Sequence, residues 1–224
     1  MAELKIGASV IRTIIFDFDG TLAKLNIDFQ KMRENVINLI SSRGISRADM
    51  DTHFILEMID AAFEMIRRRS EREAGEFFAE ANAVIEKIEM DAADRGELFA
   101  STKKLLTSLR AANLSCGIIT RNCAKAVNIV FPDIRDYCPV LICRDDVSKV
   151  KPHPEHIGLA MDKLGSLPQN TLMIGDHPID IVTGRNAGTL TCGVLTGRCE
   201  KNDFMAAGAD LVLNSAAEIL SIVK

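Results

Sequence analysis

Asp17 and Asp19 stand two residues apart in TIIFDFDGTLAKL, directly after an apolar run. Desolvating carboxylates without partners is costly, so packing alone gives a strand no reason to end on two of them. Asp and Gly are good turn formers, and a plain turn is one reading of this stretch. The other is a site for a cation and a phosphate. Residues two apart in an extended segment point to the same side, so both acids can face one ligand. One then serves as nucleophile and the other as acid/base. Gly20 permits a tight turn or a close approach of backbone.

Three later stretches carry matching chemistry. Thr120 closes the apolar run CGII and is followed by Arg121 and Asn122. Lys151 opens KPHPEH, and GDHPID supplies Asp176 and Asp180. Asp17, Asp19 and Asp176 brought together would repel one another, and some would hold protons. A hard divalent cation with oxygen ligands, Mg2+ above all, relieves this. Such a metal also lowers repulsion between a carboxylate nucleophile and a phosphoryl oxygen. Thr120 offers a hydroxyl and Lys151 a positive charge to phosphate oxygens, as phosphoryl transfer requires. Asp180, four residues past Asp176, is placed to orient the metal shell or Lys151 if a helix begins near Pro178. Thr120 alone also reads as the cap of a helix starting at Asn122.

The elements that must position these residues follow from short apolar runs. These are Thr13 to Phe16, Cys116 to Ile119, Val140 to Cys143, Thr171 to Ile174, Gly193 to Leu195 and Asp210 to Leu213. Most are continuously apolar, which suits parallel strands buried on both faces. Helical patterns at Ser101 to Ala112 and Pro154 to Leu164 lie between them, so an α/β fold is expected. Ligands in such sheets bind beyond the carboxyl ends of the strands, where all four stretches would meet. The span from Asp28 to Gly96 has no good strand. It reads as three helices, Phe29 to Ser42, Arg47 to Arg69 and Glu73 to Asp94. Their apolar stripes are Ile37 and Ile40; Ile55, Ile59, Phe63 and Ile66; and Phe77, Ala81, Val84 and Ile88. The expected organisation is a core of residues 1–27 and 97–224 with a helical insertion at 28–96, read as a cap over a site or a dimerisation arm.

Composition narrows the class. A chain of 224 residues, 47% hydrophobic and 26% charged, is expected to fold as a globular protein. The net charge of -4 and the lack of a long basic tail argue against nucleic-acid capture. No stretch of membrane-spanning length is free of charge, and MAELKIGASVIRTII lacks signal-peptide order, so cytoplasmic location is the expectation. None of the six cysteines forms a CxxC pair, and Cys138 with Cys143 lacks a second pair to complete a zinc site.

The ordered set of DFDGT (Asp17 to Thr21), Thr120, Lys151 in KPHP and GDHPID (Asp176 to Asp180) resembles the haloacid-dehalogenase-like hydrolase superfamily, particularly its phosphoglycolate-phosphatase-like branch. The likeness runs from about Thr13 to Leu213. It implies a Rossmann-like sheet of order 5-4-1-2-3 with a helical cap inserted after the first motif. It implies Asp17 as nucleophile and metal ligand. Asp19 would be general acid/base and lend its backbone carbonyl to the metal, and Asp176 would be a metal ligand supported by Asp180. Thr120 and Lys151 would bind phosphate, and Lys151 would also steady the nucleophile. Gly20, Thr21 and Asn122 complete the supporting set. Dehalogenases of this type lack the second acid, so Asp19 points away from them. Thr21 matches the phosphatase pattern, where mutase relatives commonly carry Val.

The expected activity is therefore Mg2+-dependent hydrolysis of a small phosphorylated metabolite, with phosphoglycolate favoured. A phosphomutase and a non-catalytic interaction protein are the alternatives. No nucleic-acid or membrane partner is expected, and monomer and homodimer both stay open. Arg121 and His177 depart from the usual pattern. Arg121 is read at the rim or against substrate, and His177 as packing or hydrogen-bonding in its loop in preference to binding the metal or tuning a pKa there. His156 is read on a helix surface, and the basic run at Arg67 to Arg72 as a solvated helix end in preference to an anion-facing patch on the cap. Phe29, Phe63 and Phe77 are read as core.

Overall fold

The computed structural model describes residues 4–223 of the chain. They form two compact units. The first contains the described residues up to Leu25 and from Gly96 onward, and the second is Asn26–Arg95.

The first unit opens with an antiparallel hairpin, β1 (Leu4–Ile6) and β2 (Ser9–Ile11), which turns at Gly7 with φ of 59°. The apolar N-terminal run thus splits, and only its last part enters the main sheet as β3 (Thr13–Phe16). A two-residue strand, β4 (Ala23–Lys24), follows the DFDGT turn.

The second unit consists of α1 (Phe29–Ser42), α2 (Ile55–Arg67) and α3 (Glu71–Ala93). Asp28 and Ser70 cap α1 and α3 by accepting from backbone N–H groups three residues on. The single helix expected from Arg47 to Arg69 is broken. A short turn of 3-10 helix covers Arg47–Asp49, and α2 starts only at Ile55. The Arg47 guanidinium holds the break by donating to the carbonyls of Met50 and Thr52, both at 2.8 Å. The buried stripes are Met32, Val36 and Ile40 on α1 and Ala74, Phe77, Ala81, Ile85 and Ile88 on α3. Ile37 and Val84 are only half-buried. Both alternatives obey helical spacing, and packing among three helices selects between them. Phe77 is buried as expected, but Phe29 is 50% exposed.

The chain returns through β5 (Glu97–Leu98), which pairs antiparallel with β4. Next come α4 (Thr102–Ala111), β6 (Ser115–Ile119), α5 (Ala124–Val130), α6 (Ile134–Tyr137) and β7 (Val140–Ile142). Then follow α7 (Pro154–Leu164), β8 (Thr171–Gly175), α8 (Pro178–Asn186), β9 (Leu190–Val194), α9 (Lys201–Ala207) and β10 (Leu211–Leu213). Six strands form one parallel sheet in the order β10-β9-β8-β3-β6-β7. This is the expected five-strand order with β10 added at one edge. On one face α7 sets Ile157, Ala160 and Met161 against Ile15, Ile119, Ile142 and Met173. Because every strand runs the same way, the residues following β3, β6, β8 and β9 share one edge of the sheet.

Candidate active site

Asp17 follows β3 directly, its N–H bonded to the Ile174 carbonyl of the neighbouring strand at 2.8 Å. Its buried carboxylate accepts from Lys151 Nζ at 2.5 Å, and the same ammonium donates to Asp180 at 2.7 Å. Carboxylate oxygens of Asp17, Asp176 and Asp180 lie within 4.8 Å of one another. The side-chain cluster thus joins Asp180 to Asp17 and Asp176. The Asp19 carboxylate stands apart from it, accepting from the Leu25 N–H at 2.9 Å.

The turn between them is built for close approach. Gly20 has φ of 86°, and a Cβ there would fall 2.1 Å from Oδ2 of Asp176. No side chain fits that position without displacing the carboxylate. Thr21 is buried and donates its hydroxyl to Asp176 at 3.5 Å. That long bond is the one hydrogen bond to the Asp176 carboxylate among the described residues.

Lys151 is positioned through its backbone. His156, expected on a helix surface, is fully buried on α7. Burial and the Lys151 charge push its pKa down to about 3, so the ring is neutral. Its Nδ1 accepts from the Lys151 N–H at 3.2 Å, which leaves Nε2 protonated to donate to the Ile142 carbonyl at 3.2 Å. Arg121 donates to the Lys151 carbonyl, and Asn186 to the Pro152 carbonyl at 3.0 Å. The lysine is thereby held at both backbone groups. His156 is the positioning residue that the sequence reading missed; its one signal was its place in KPHPEH, five past Lys151.

Thr120 and Asn122 follow β6, both buried. The Asn122 N–H donates to the Thr120 hydroxyl at 3.2 Å, but α5 starts at Ala124 and its cap position is Cys123. Thr120 therefore folds the loop without capping that helix. The Asn122 amide nitrogen is buried without a hydrogen-bond partner. Such an orphaned buried donor in the loop after β6 suits an anionic ligand. His177 is exposed and uses its ring Nδ1 to accept from the Ile179 N–H at 3.1 Å, a loop role.

The electrostatics are those of too few cations. Burial pushes Asp17 up to about 6, Lys151 pulls it down and Asp180 adds to the rise. Burial likewise raises Asp19 to about 6, opposed by the Leu25 N–H and assisted by Asp17. Asp176 rises to about 9 through burial and the charges of Asp17 and Asp180. Burial lowers the Lys151 pKa, but the two carboxylates outweigh it and leave it near about 12. Within the side-chain cluster one ammonium thus serves three acids, Asp17, Asp176 and Asp180. The poorly partnered Asp176 carboxylate, close to those of Asp17 and Asp180, fits a divalent cation as a further counter-charge.

Elsewhere the basic run is solvated, with Arg67 paired to Glu64 at 2.8 Å and Arg72 to Glu76 at 2.7 Å. No helix among the described residues is long and apolar enough to cross a membrane.

A parallel sheet with acids after its first and fourth main strands, and a lysine tied to both, defines a hydrolase of the haloacid-dehalogenase-like type. The family model described as haloacid dehalogenase-like hydrolase matches residues 14–194, and the chain belongs to that family. It is 28% identical to the pyrophosphatase PpaX of Oceanobacillus iheyensis, over 95% of this chain and 97% of the relative. It is also 28% identical to the N-acetylmuramic acid 6-phosphate phosphatase of Pseudomonas putida, over 95% of this chain and 96% of the relative. A crystal structure of a hydrolase from Pseudomonas syringae has the same fold, with a TM-score of 0.67 at 20% identity, covering 94% of this chain and 96% of that one.

Proposed function

We propose that the chain is a Mg2+-dependent phosphatase of small phosphate esters working through an aspartyl-phosphate. The observation that carries this reading is the bridging of Asp17 and Asp180 by Lys151 beside Asp176. Asp17, Asp176 and Asp180 are the side chains that would hold the ion, together with the backbone carbonyl of Asp19. When bound, magnesium offsets charge between the nucleophile and the phosphoryl oxygens.

With a pKa near about 6, Asp17 is ionised at neutral pH and attacks phosphorus. Lys151, Thr120 and the orphaned Asn122 amide bind the phosphoryl oxygens and neutralise charge that spreads there in the transition state. Asp19, also near about 6, suits both directions of proton transfer. It gives a proton to the leaving oxygen, then takes one from the water that hydrolyses the aspartyl-phosphate. We assign the helical insertion, residues 28–96, the role of a cap that excludes bulk water during these steps.

Phosphoglycolate heads the substrate panel through the branch resemblance. Pyrophosphate and N-acetylmuramic acid 6-phosphate join it because the relatives are named for them. Phosphate release measured over this panel with magnesium is expected to be strongest with phosphoglycolate. Release that ignores chelation of magnesium, or none from any compound, would sink the reading.

Metal binding carries its own pH signature. The Asp176 pKa near about 9 means that this carboxyl holds a proton at neutral pH before the ion arrives. Binding must displace it, so magnesium affinity rises with pH up to about 9 and levels off above it. Calorimetry near pH 7.5 in two buffers of different ionisation enthalpy is expected to show release of about one proton per ion. Equal heats in the two buffers would show that Asp176 is already ionised.

A further inference from the structure

The loop after β9 carries no role in the reading above, yet it lies against the acid cluster. Thr196 donates its hydroxyl to the carbonyl of Gly20 at 2.5 Å. A Cβ on Gly197 would fall 2.0 Å from Oδ2 of Asp176, so the loop backbone is pressed directly on that carboxylate. These two contacts fix the next residue, Arg198, beside the DFDGT turn. Arg198 is exposed, and its guanidinium takes part in no hydrogen bond or ion pair among the described residues. Its charge still reaches Asp19, where it opposes the upward push of burial on that carboxyl.

We propose that Arg198 is a specificity residue that binds a second anionic group on the substrate's leaving portion. The inference rests on the phosphatase reading. In that reading Asp19 hands its proton to the leaving oxygen, so a cation beside Asp19 faces the leaving group. The transferred phosphoryl group is met by Lys151 instead. A guanidinium forks onto a carboxylate or a phosphate with two hydrogen bonds, and an uncommitted one gives up no existing partner to do so. The substrates favoured are therefore phosphate esters or anhydrides that carry a carboxylate or second phosphate close to the bridging oxygen. Neutral sugars and alcohols gain nothing from Arg198.

Binding to Asp17→Asn protein, measured by calorimetry with magnesium, tests this without turnover. The probes are 2-phosphoglycolate and ethyl phosphate, which lacks the carboxylate. Adding Arg198→Gln is expected to weaken phosphoglycolate by about ten- to a hundredfold and to leave ethyl phosphate within about twofold. Arg198→Lys is expected to restore part of the loss. Equal losses on both probes, no loss on either, or failure of both to bind Asp17→Asn protein would overturn the proposal. In the otherwise wild-type enzyme the substitution is expected to raise KM for phosphoglycolate about tenfold or more and to leave KM for p-nitrophenyl phosphate within about twofold. A pH profile shifted alike for both substrates with neither KM changed would make Arg198 a tuner of Asp19 and not a substrate contact. If the wild type releases no phosphate at all, the hydrolase reading fails while the binding comparison still decides the role of Arg198.

Discussion

Asp17→Asn is expected to abolish phosphate release, lowering kcat by at least about 10^4-fold, the scale seen when a covalent nucleophile is removed. The amide has the size of the carboxylate but not its charge or nucleophilicity. The fold has little to lose. Lys151 keeps its 2.7 Å contact with Asp180, so no cation is stranded, and Asn can still accept from the ammonium. Thermal melting is therefore expected to stay within a few degrees of wild type. A second readout separates loss of the nucleophile from loss of binding. Acid-quenched wild-type enzyme is expected to carry phosphate on Asp17, and the variant none, although the variant still binds substrate. Retained turnover in Asp17→Asn, or label on another residue, would place the nucleophile elsewhere.

Three of the four chemical stretches were legible because each couples an apolar strand to a polar residue at its carboxyl end, whereas Lys151, nine residues past β7, was legible through the KPHP that opens α7. Continuous runs such as TIIF and TLMI can only be buried on both faces, and β3 and β8 are. The strand β9 was harder. Its expected start at Gly193 is displaced to Leu190, because Thr191 lies inside it. That threonine is buried only because Asp210 accepts from both its hydroxyl, at 2.9 Å, and its N–H, at 2.8 Å. A polar residue satisfied by a partner 19 positions away leaves no local trace. The break before α2 and the burial of His156 have the same origin. Arg47 stops a helix by bonding to carbonyls, and His156 is buried because both ring nitrogens find backbone partners. The loop at Thr196 and Gly197 was missed because neither residue type signals chemistry alone. Its meaning lies in contact with Gly20 and Asp176. Sequence pattern thus showed which residues carry charge, whereas the groups that hold them in place depend on distant contacts.

Lys151→Met is expected to cost both activity and stability, and the stability loss is the more diagnostic. The ammonium lies between two carboxylates whose side chains are 10% and 1% exposed. Removing it strands two buried negative charges beside Asp176, a change that typically costs about 3–5 kcal/mol. For a chain of this size, melting is expected to fall by roughly 6–20 °C near neutral pH. The sign of the pH dependence follows from the charges. The Lys151 pKa is raised in the folded protein, so its contribution is fully present below its unfolded value of about 10.5 and lost as pH climbs through about 12. In the variant the Asp17 carboxyl, already raised by burial, loses the ammonium that held it down and is pushed further upward, so it takes up a proton as pH falls. The deficit against wild type is then expected to be largest from about pH 7 to 10 and to shrink toward pH 4. Adding Asp180→Asn removes one stranded charge and is expected to recover much of the lost stability without recovering turnover. Melting curves of both variants at pH 5 and pH 8 check this. A deficit independent of pH, with no recovery from Asp180→Asn, would show that Lys151 acts through packing of its aliphatic stem and not through its charge.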